Sequence, residues 1–158
     1  MKSIQAEERS VVLPDGERLS YRVAGQGLPV LLLNGLGGSW EAWGPLIAHF
    51  RDRYRLFFFD YRGLRRSQGG ASARSMGEHA VDATAILDAE GVTRAAVVGW
   101  SMGVQVALEL FRRTPSRVAS LVFINGAARP AWARSAPAGV TGRVLASGVS
   151  FLHRVPWL

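Results

Sequence analysis

Ala95-Ala96-Val97-Val98-Gly99-Trp100-Ser101-Met102-Gly103 is the stretch whose reading decides the fold. The apolar run Ala95 to Val98 reads as a buried strand, and Val104 to Arg113, just beyond, reads as a helix. A strand that passes into a helix through Gly-x-Ser-x-Gly must bend sharply, and the bend lifts the serine hydroxyl clear of the sheet edge. Gly99 and Gly103 flank that bend, where side chains would collide with the tight turn. A hydroxyl standing free on such a bend is placed for attack on an acyl carbon. The bland alternative is a serine that merely turns the chain.

Working outward, the elements alternate. Ser10 to Leu13 and Leu19 to Val23 read as short strands joined by Pro14-Asp15-Gly16, in which proline presets the first corner and Asp and Gly tolerate the later ones. Val30 to Leu33 and Leu56 to Phe59 are continuous apolar runs, as expected of strands covered on both faces. Between them Trp43, Leu46, Ile47 and Phe50 recur at helical spacing, with Pro45 in the first turn. Ser75-Met76-Gly77-Glu78 has the form of a capping box, Met76, Ala80, Ala83 and Leu87 form the stripe that follows, and Gly91 sits where that helix stops. Val118 to Ile124 is a further strand. Strand alternating with helix at this spacing predicts an α/β fold with a mostly parallel sheet and helices on both faces.

Three loops follow strands in a telling order: Asn34-Gly35-Leu36-Gly37, then Asp60-Tyr61-Arg62-Gly63, then the Gly-x-Ser-x-Gly bend. On these the chain resembles the α/β-hydrolase superfamily over roughly residues 10 to 125, with residues 126 to 158 similar to the start of that family's lid. The resemblance implies that residues 1–125 form the N-terminal part of the core, lacking the C-terminal strands, and that Ser101 is the nucleophile of a carboxylesterase-type reaction. It implies an oxyanion hole made by the backbone N–H groups of Met102 and Leu36. Asn34, Gly35 and Trp100 are then expected beside a small acyl substrate, with Trp40 adding to an apolar pocket; the other reading of Trp100 is that it only packs the bend against the sheet. Two departures stand out. Asn34 occupies a position where many members have histidine, and Arg65 replaces a glycine in the loop after Phe59. Asp60 and Arg62 are expected to be structural. A serine in place of a carboxylate at the bend argues against haloalkane dehalogenase or epoxide hydrolase chemistry.

Serine acyl transfer also needs a base and an acid to orient it, in the family order Ser, Asp or Glu, His. After Ser101 the only carboxylate is Glu109 and the only histidine His153. Glu109 lies eight residues along the helix, about 12 Å away, and reads as a solvated helix residue. His153 follows the amphipathic stretch Val144 to Leu152 in the lid-like segment, while His49 and His79 fall on helices before the serine. The expectation is therefore the N-terminal part of a longer hydrolase. The alternative is a non-catalytic module that binds an apolar ligand or a partner, self-association through the edge strand 118–124 included.

Composition narrows the remaining classes. The chain has 158 residues, 48% of them hydrophobic, a net charge of +7 and no cysteine, which suits one soluble globular domain without a disulfide framework. No acidic residue follows Glu109, but the arginines that do follow accompany no nucleic-acid motif, so a solvated basic surface is the expectation and no nucleic-acid partner is assigned. Scattered histidines give no metal ligand set, the glycine loops lack phosphate-binding spacing, and no cofactor is expected. The apolar runs are too short to span a bilayer and the first residues do not resemble a signal peptide, so no membrane association and a cytoplasmic location are expected.

Overall fold

The computed structural model describes residues 6–64, 67 and 74–126. They form one six-stranded sheet in the order β1-β2-β4-β3-β5-β6. The strands are β1 (Glu7–Val12), β2 (Arg18–Ala24), β3 (Leu28–Leu33), β4 (Tyr54–Phe59), β5 (Ala95–Trp100) and β6 (Val118–Ile124). β1 and β2 make an antiparallel hairpin, β2 runs antiparallel to β4, and β3, β4, β5 and β6 are parallel. The hairpin turns at Pro14-Asp15-Gly16 with Gly16 at φ +84°, the left-handed corner that the Asp-Gly pair predicts.

The unbroken apolar runs follow from cover on both sides. Side chains alternate across a pleated strand, so Leu31, Leu33, Phe57, Phe59 and Val97 point into one core while Val30, Leu32, Leu56, Phe58 and Val98 point into the other. The larger core is closed by α2 (Met76–Ala89) and α3 (Met102–Arg113), through Ala80, Ala83, Ile86 and Leu87 on α2 and Val106, Ala107 and Leu110 on α3. The smaller is closed by Trp43 and Ile47. The single helix expected around Pro45 is two pieces, a 3-10 helix at Trp40–Trp43 and α1 at Gly44–Phe50. Its last apolar residue packs less than the spacing suggests: Phe50 is exposed and rests its ring edge-on to Tyr54.

α2 begins where the capping box predicts. The Ser75 side chain accepts from the Glu78 N–H, and the Glu78 carboxylate accepts from the Ser75 N–H at 2.8 Å. Gly91, at φ +64°, follows the end of this helix. A buried ion network ties α2 to the hairpin: Arg62 Nε donates to Asp82 Oδ2 at 2.9 Å, and its Nη1 binds Glu17 at 2.8 Å and also Asp15. Asp82 is fully buried and meets the Arg62 guanidinium through both of its oxygens, at 2.9 Å and 2.8 Å.

Candidate active site

Ser101 sits between β5 and α3 at φ +53°, ψ −115°. A side chain in that region costs about 1–3 kcal/mol and persists only where the surroundings over-determine it. Here they do. The Ser101 N–H donates to Ile124 O at 2.9 Å, which fixes the bend to the end of β6, and the Val104 N–H donates to Ser101 O at 3.1 Å. A Cβ at Gly99 would stand 2.5 Å from Gly103 O, and one at Gly103 would overlap the Leu33 carbonyl and stand 2.8 Å from Asn34 O. Both glycines are therefore sterically required, which lets α3 descend onto the end of β3. Ser101 occupies the N-cap position of α3, yet its hydroxyl caps nothing and the residue is exposed.

The start of α3 and the loop after β3 meet at this corner. Met102 is the first residue of α3, so its N–H has no partner within the helix and lies at the positive end of the helix dipole. The loop after β3 forms a tight turn in which the Gly38 N–H donates to Gly35 O at 3.0 Å and Gly37 takes φ +65°. A Cβ on Gly35 would lie 3.3 Å from Ser101 Cβ, so this loop rests against the serine with no room to spare. Leu36 is 82% exposed.

The expected substrate contacts divide. Gly35 is beside the serine, as above. Asn34 is 1% exposed and faces inward: its Nδ2 donates to Phe59 O at 2.7 Å and its Oδ1 accepts from the Trp43 indole N–H. Both ends of the amide are engaged within the fold. Trp100 is half-buried, edge-on to Trp43 at 6.2 Å, with a Gly38 Cβ position only 3.5 Å from its ring. Its ring thus lies against the loop and Trp43. Trp40 lies over Phe58, takes the Arg22 guanidinium on its ring, and donates its backbone N–H to Asp60 Oδ1 at 3.3 Å.

The other titratable candidates lie elsewhere. Glu109 is held by Arg112 and Arg113, and its hydrogen bond from Arg112 draws its pKa down to about 2. His49 is exposed at the end of α1 against Phe50. His79 is buried with its ring 4.4 Å from Tyr61 and its Nδ1 3.9 Å from Asp82. Neither histidine is hydrogen-bonded to Ser101. His153, Arg65 and the lid-like segment from residue 127 onward lie outside the described residues. Sequence reasoning missed Asn125 and Gly126: Asn125 takes φ +45°, and a Cβ on Gly126 would stand 2.7 Å from Ser101 O. An Asn-Gly pair directly after a strand was the available signal.

Comparison with known proteins places the chain. The sequence profile for the alpha/beta hydrolase fold matches residues 29–148, and the chain belongs to that family. It is 39% identical over 111 residues to a protein of Azorhizobium caulinodans provisionally named carbamate hydrolase RutD, covering 70% of this chain and 42% of that protein. The counterpart from Caulobacter segnis is 37% identical over 112 residues, with 70% and 42% covered. The chain thus spans about two-fifths of the length of these curated relatives. Among solved structures it is similar to an esterase from a Rhodococcus species (34% identity, TM-score 0.68, 77% of this chain and 46% of that one). It is also similar to the enol-lactonase of Burkholderia xenovorans (26% identity, TM-score 0.72, 77% and 48%).

Proposed function

We propose that this chain carries the nucleophile and the oxyanion hole of a serine hydrolase that cleaves a small-molecule ester, or a related acyl bond such as a carbamate, through an acyl-enzyme on Ser101. The observation that supports this most is an exposed non-glycine residue at φ +53° on a strand-helix junction, its hydroxyl capping nothing. The names of the relatives, a carbamate hydrolase, an esterase and a lactonase, agree in attack on an acyl carbon.

In this reading Ser101 Oγ bonds to the acyl carbon as its proton passes to a base, and the carbonyl electrons move onto oxygen. The N–H groups of Met102 and Leu36 receive that developing charge, each worth about 3 kcal/mol of transition-state stabilisation. Collapse expels the alcohol or amine, which takes the proton back from the base. Water then attacks the acyl-enzyme by the same route and frees Ser101. The base and its orienting acid come from residues outside those described, since Glu109, His49 and His79 are engaged away from the serine. The trial is p-nitrophenyl acetate turnover by the natural gene product. Ser101→Ala is expected to lower kcat by about 10⁵–10⁶; turnover that survives the substitution contradicts the reading.

A further inference from the structure

The loop Gly35–Gly38 poses a mechanical problem. With Ser101 as nucleophile, the reading on which this inference rests, that loop must hold the Leu36 N–H steady beside the reacting oxygen. Yet it contains three glycines, and its one large side chain points into solvent. Within the loop the Gly38 N–H to Gly35 O bond closes the turn but does not tie it to the rest of the fold. The stiffness comes from Asn34 at its entry. The Asn34 Nδ2 donates to Phe59 O at the end of β4, its Oδ1 accepts from the indole N–H of Trp43, and its main-chain O accepts from the Tyr61 hydroxyl at 2.9 Å. Trp43 closes the 3-10 helix into which the loop runs. The Asn34–Trp43 bond therefore clasps the loop across its base, entry to exit, in a spot where Asn34 is 1% and Trp43 4% exposed. The same residue's carbonyl sits under Gly103, so the clasp is also in contact with the helix that carries the first donor.

The position asks one buried side chain to donate in one direction and accept in another. An amide does both at every pH. An ionised aspartate has the same shape but only acceptors, and would turn a lone pair toward the Phe59 carbonyl. A neutral imidazole can donate from one nitrogen and accept at the other; once protonated it has two donors and no acceptor for the indole.

We propose that Asn34 is the positioning residue of the oxyanion hole, clasping the Leu36 loop through Phe59 and Trp43 so that the second donor stays in place independently of pH. Displacing a donor by a fraction of an ångström to an ångström lowers turnover without changing how the substrate's remaining groups are bound.

The experiment uses the natural gene product with p-nitrophenyl acetate, kcat being expressed per serine titrated by a fluorophosphonate so that misfolded protein drops out. Asn34→Asp is expected to lower kcat about 10- to 100-fold with KM within about twofold. Asn34→His is expected to recover most of that loss above about pH 7.5 and to lose the recovered turnover again as the new imidazole protonates, so that kcat falls more steeply below about pH 6.5 than it does in the parent. Trp43→Phe, which keeps a ring but removes the indole donor, is expected to lower kcat per serine several-fold in the same sense, and it decides the matter should Asn34→Asp fail to fold. Equal kcat per titrated serine in parent, Asn34→Asp and Trp43→Phe overturns the inference while leaving Ser101 as nucleophile. A His variant that recovers turnover and keeps the parent's pH profile also overturns it. Turnover that survives Ser101→Ala overturns the underlying reading and the clasp with it.

Discussion

The Ser101 backbone, at φ +53° and ψ −115°, is one a glycine would adopt with less strain than any side chain. If the strain is kept for the sake of the hydroxyl, removing the side chain should relieve it. Ser101→Gly is expected to raise unfolding stability by about 1 kcal/mol in urea titration while abolishing turnover; a loss of stability would show that the side chain braces the bend. At this scale the sequence was readable wherever geometry excludes alternatives. Gly99 and Gly103 were legible because any Cβ there meets backbone. The partners of Asn34 were not legible, for the opposite reason. Its partners, Phe59 and Trp43, come from other parts of the chain, and no local spacing reveals that a polar side chain next to a catalytic loop faces inward.

Elements were the most legible level. The continuous apolar runs became strands buried on both faces, and Ser75-x-x-Glu78 became a closed capping box, because burial and capping act over a few residues. Where tertiary packing decides, the reading slipped: the stretch around Pro45 splits into a 3-10 helix and a short α1, with Phe50 left exposed. Gly103→Ala tests how tightly α3 is seated. Its Cβ would overlap backbone of β3, which cannot move aside as a side chain could, so a loss of about 3 kcal/mol or more is expected in chemical denaturation. A cost below about 1 kcal/mol would mean that α3 slides. Two helix carboxylates set an acid limit. The N–H of Ser75 draws Glu78 down to about 2, and Arg112 does the same for Glu109, against an ordinary value of 4.5. A carboxylate lowered in the fold lends stability in full above its unfolded pKa and loses it as pH falls toward the folded one. The urea midpoint should therefore hold from pH 7 to about 5 and decline between about 4.5 and 2. Replacing Glu109 with Gln should flatten part of that decline, and an unchanged slope would argue against the ion pairs.

Seen whole, the described residues leave one sheet face partly open. Trp43 and Ile47 cover β3 and β4, but beside them runs an apolar groove of about 570 Å³ bordered by Val98, Val122, Ile124, Leu46 and Phe50. β6 is the last strand on that side among the described residues, and Val122 and Ile124 are 40% and 37% exposed. An apolar edge of this kind invites pairing. Residues 1–158 expressed alone are expected to sediment as dimers or larger species, and Val122→Lys with Ile124→Lys to shift them toward the 17.1 kDa monomer. A monodisperse monomer without those substitutions would show that the edge is already covered. Fold was legible at this scale because three loops occur in one order; a base and an acid were not, because after Ser101 the described residues hold no histidine and only the ion-paired carboxylate of Glu109.

The central claim is that Ser101 attacks, and covalent capture reads it directly. The natural gene product should be treated with a fluorophosphonate, digested with trypsin and mapped by mass spectrometry. The account predicts a single phosphonyl adduct on Ser101, within the peptide Ala95–Arg112, and loss of turnover in proportion to labelling. Steady turnover with that peptide unmodified, or an adduct on a different serine, would contradict it.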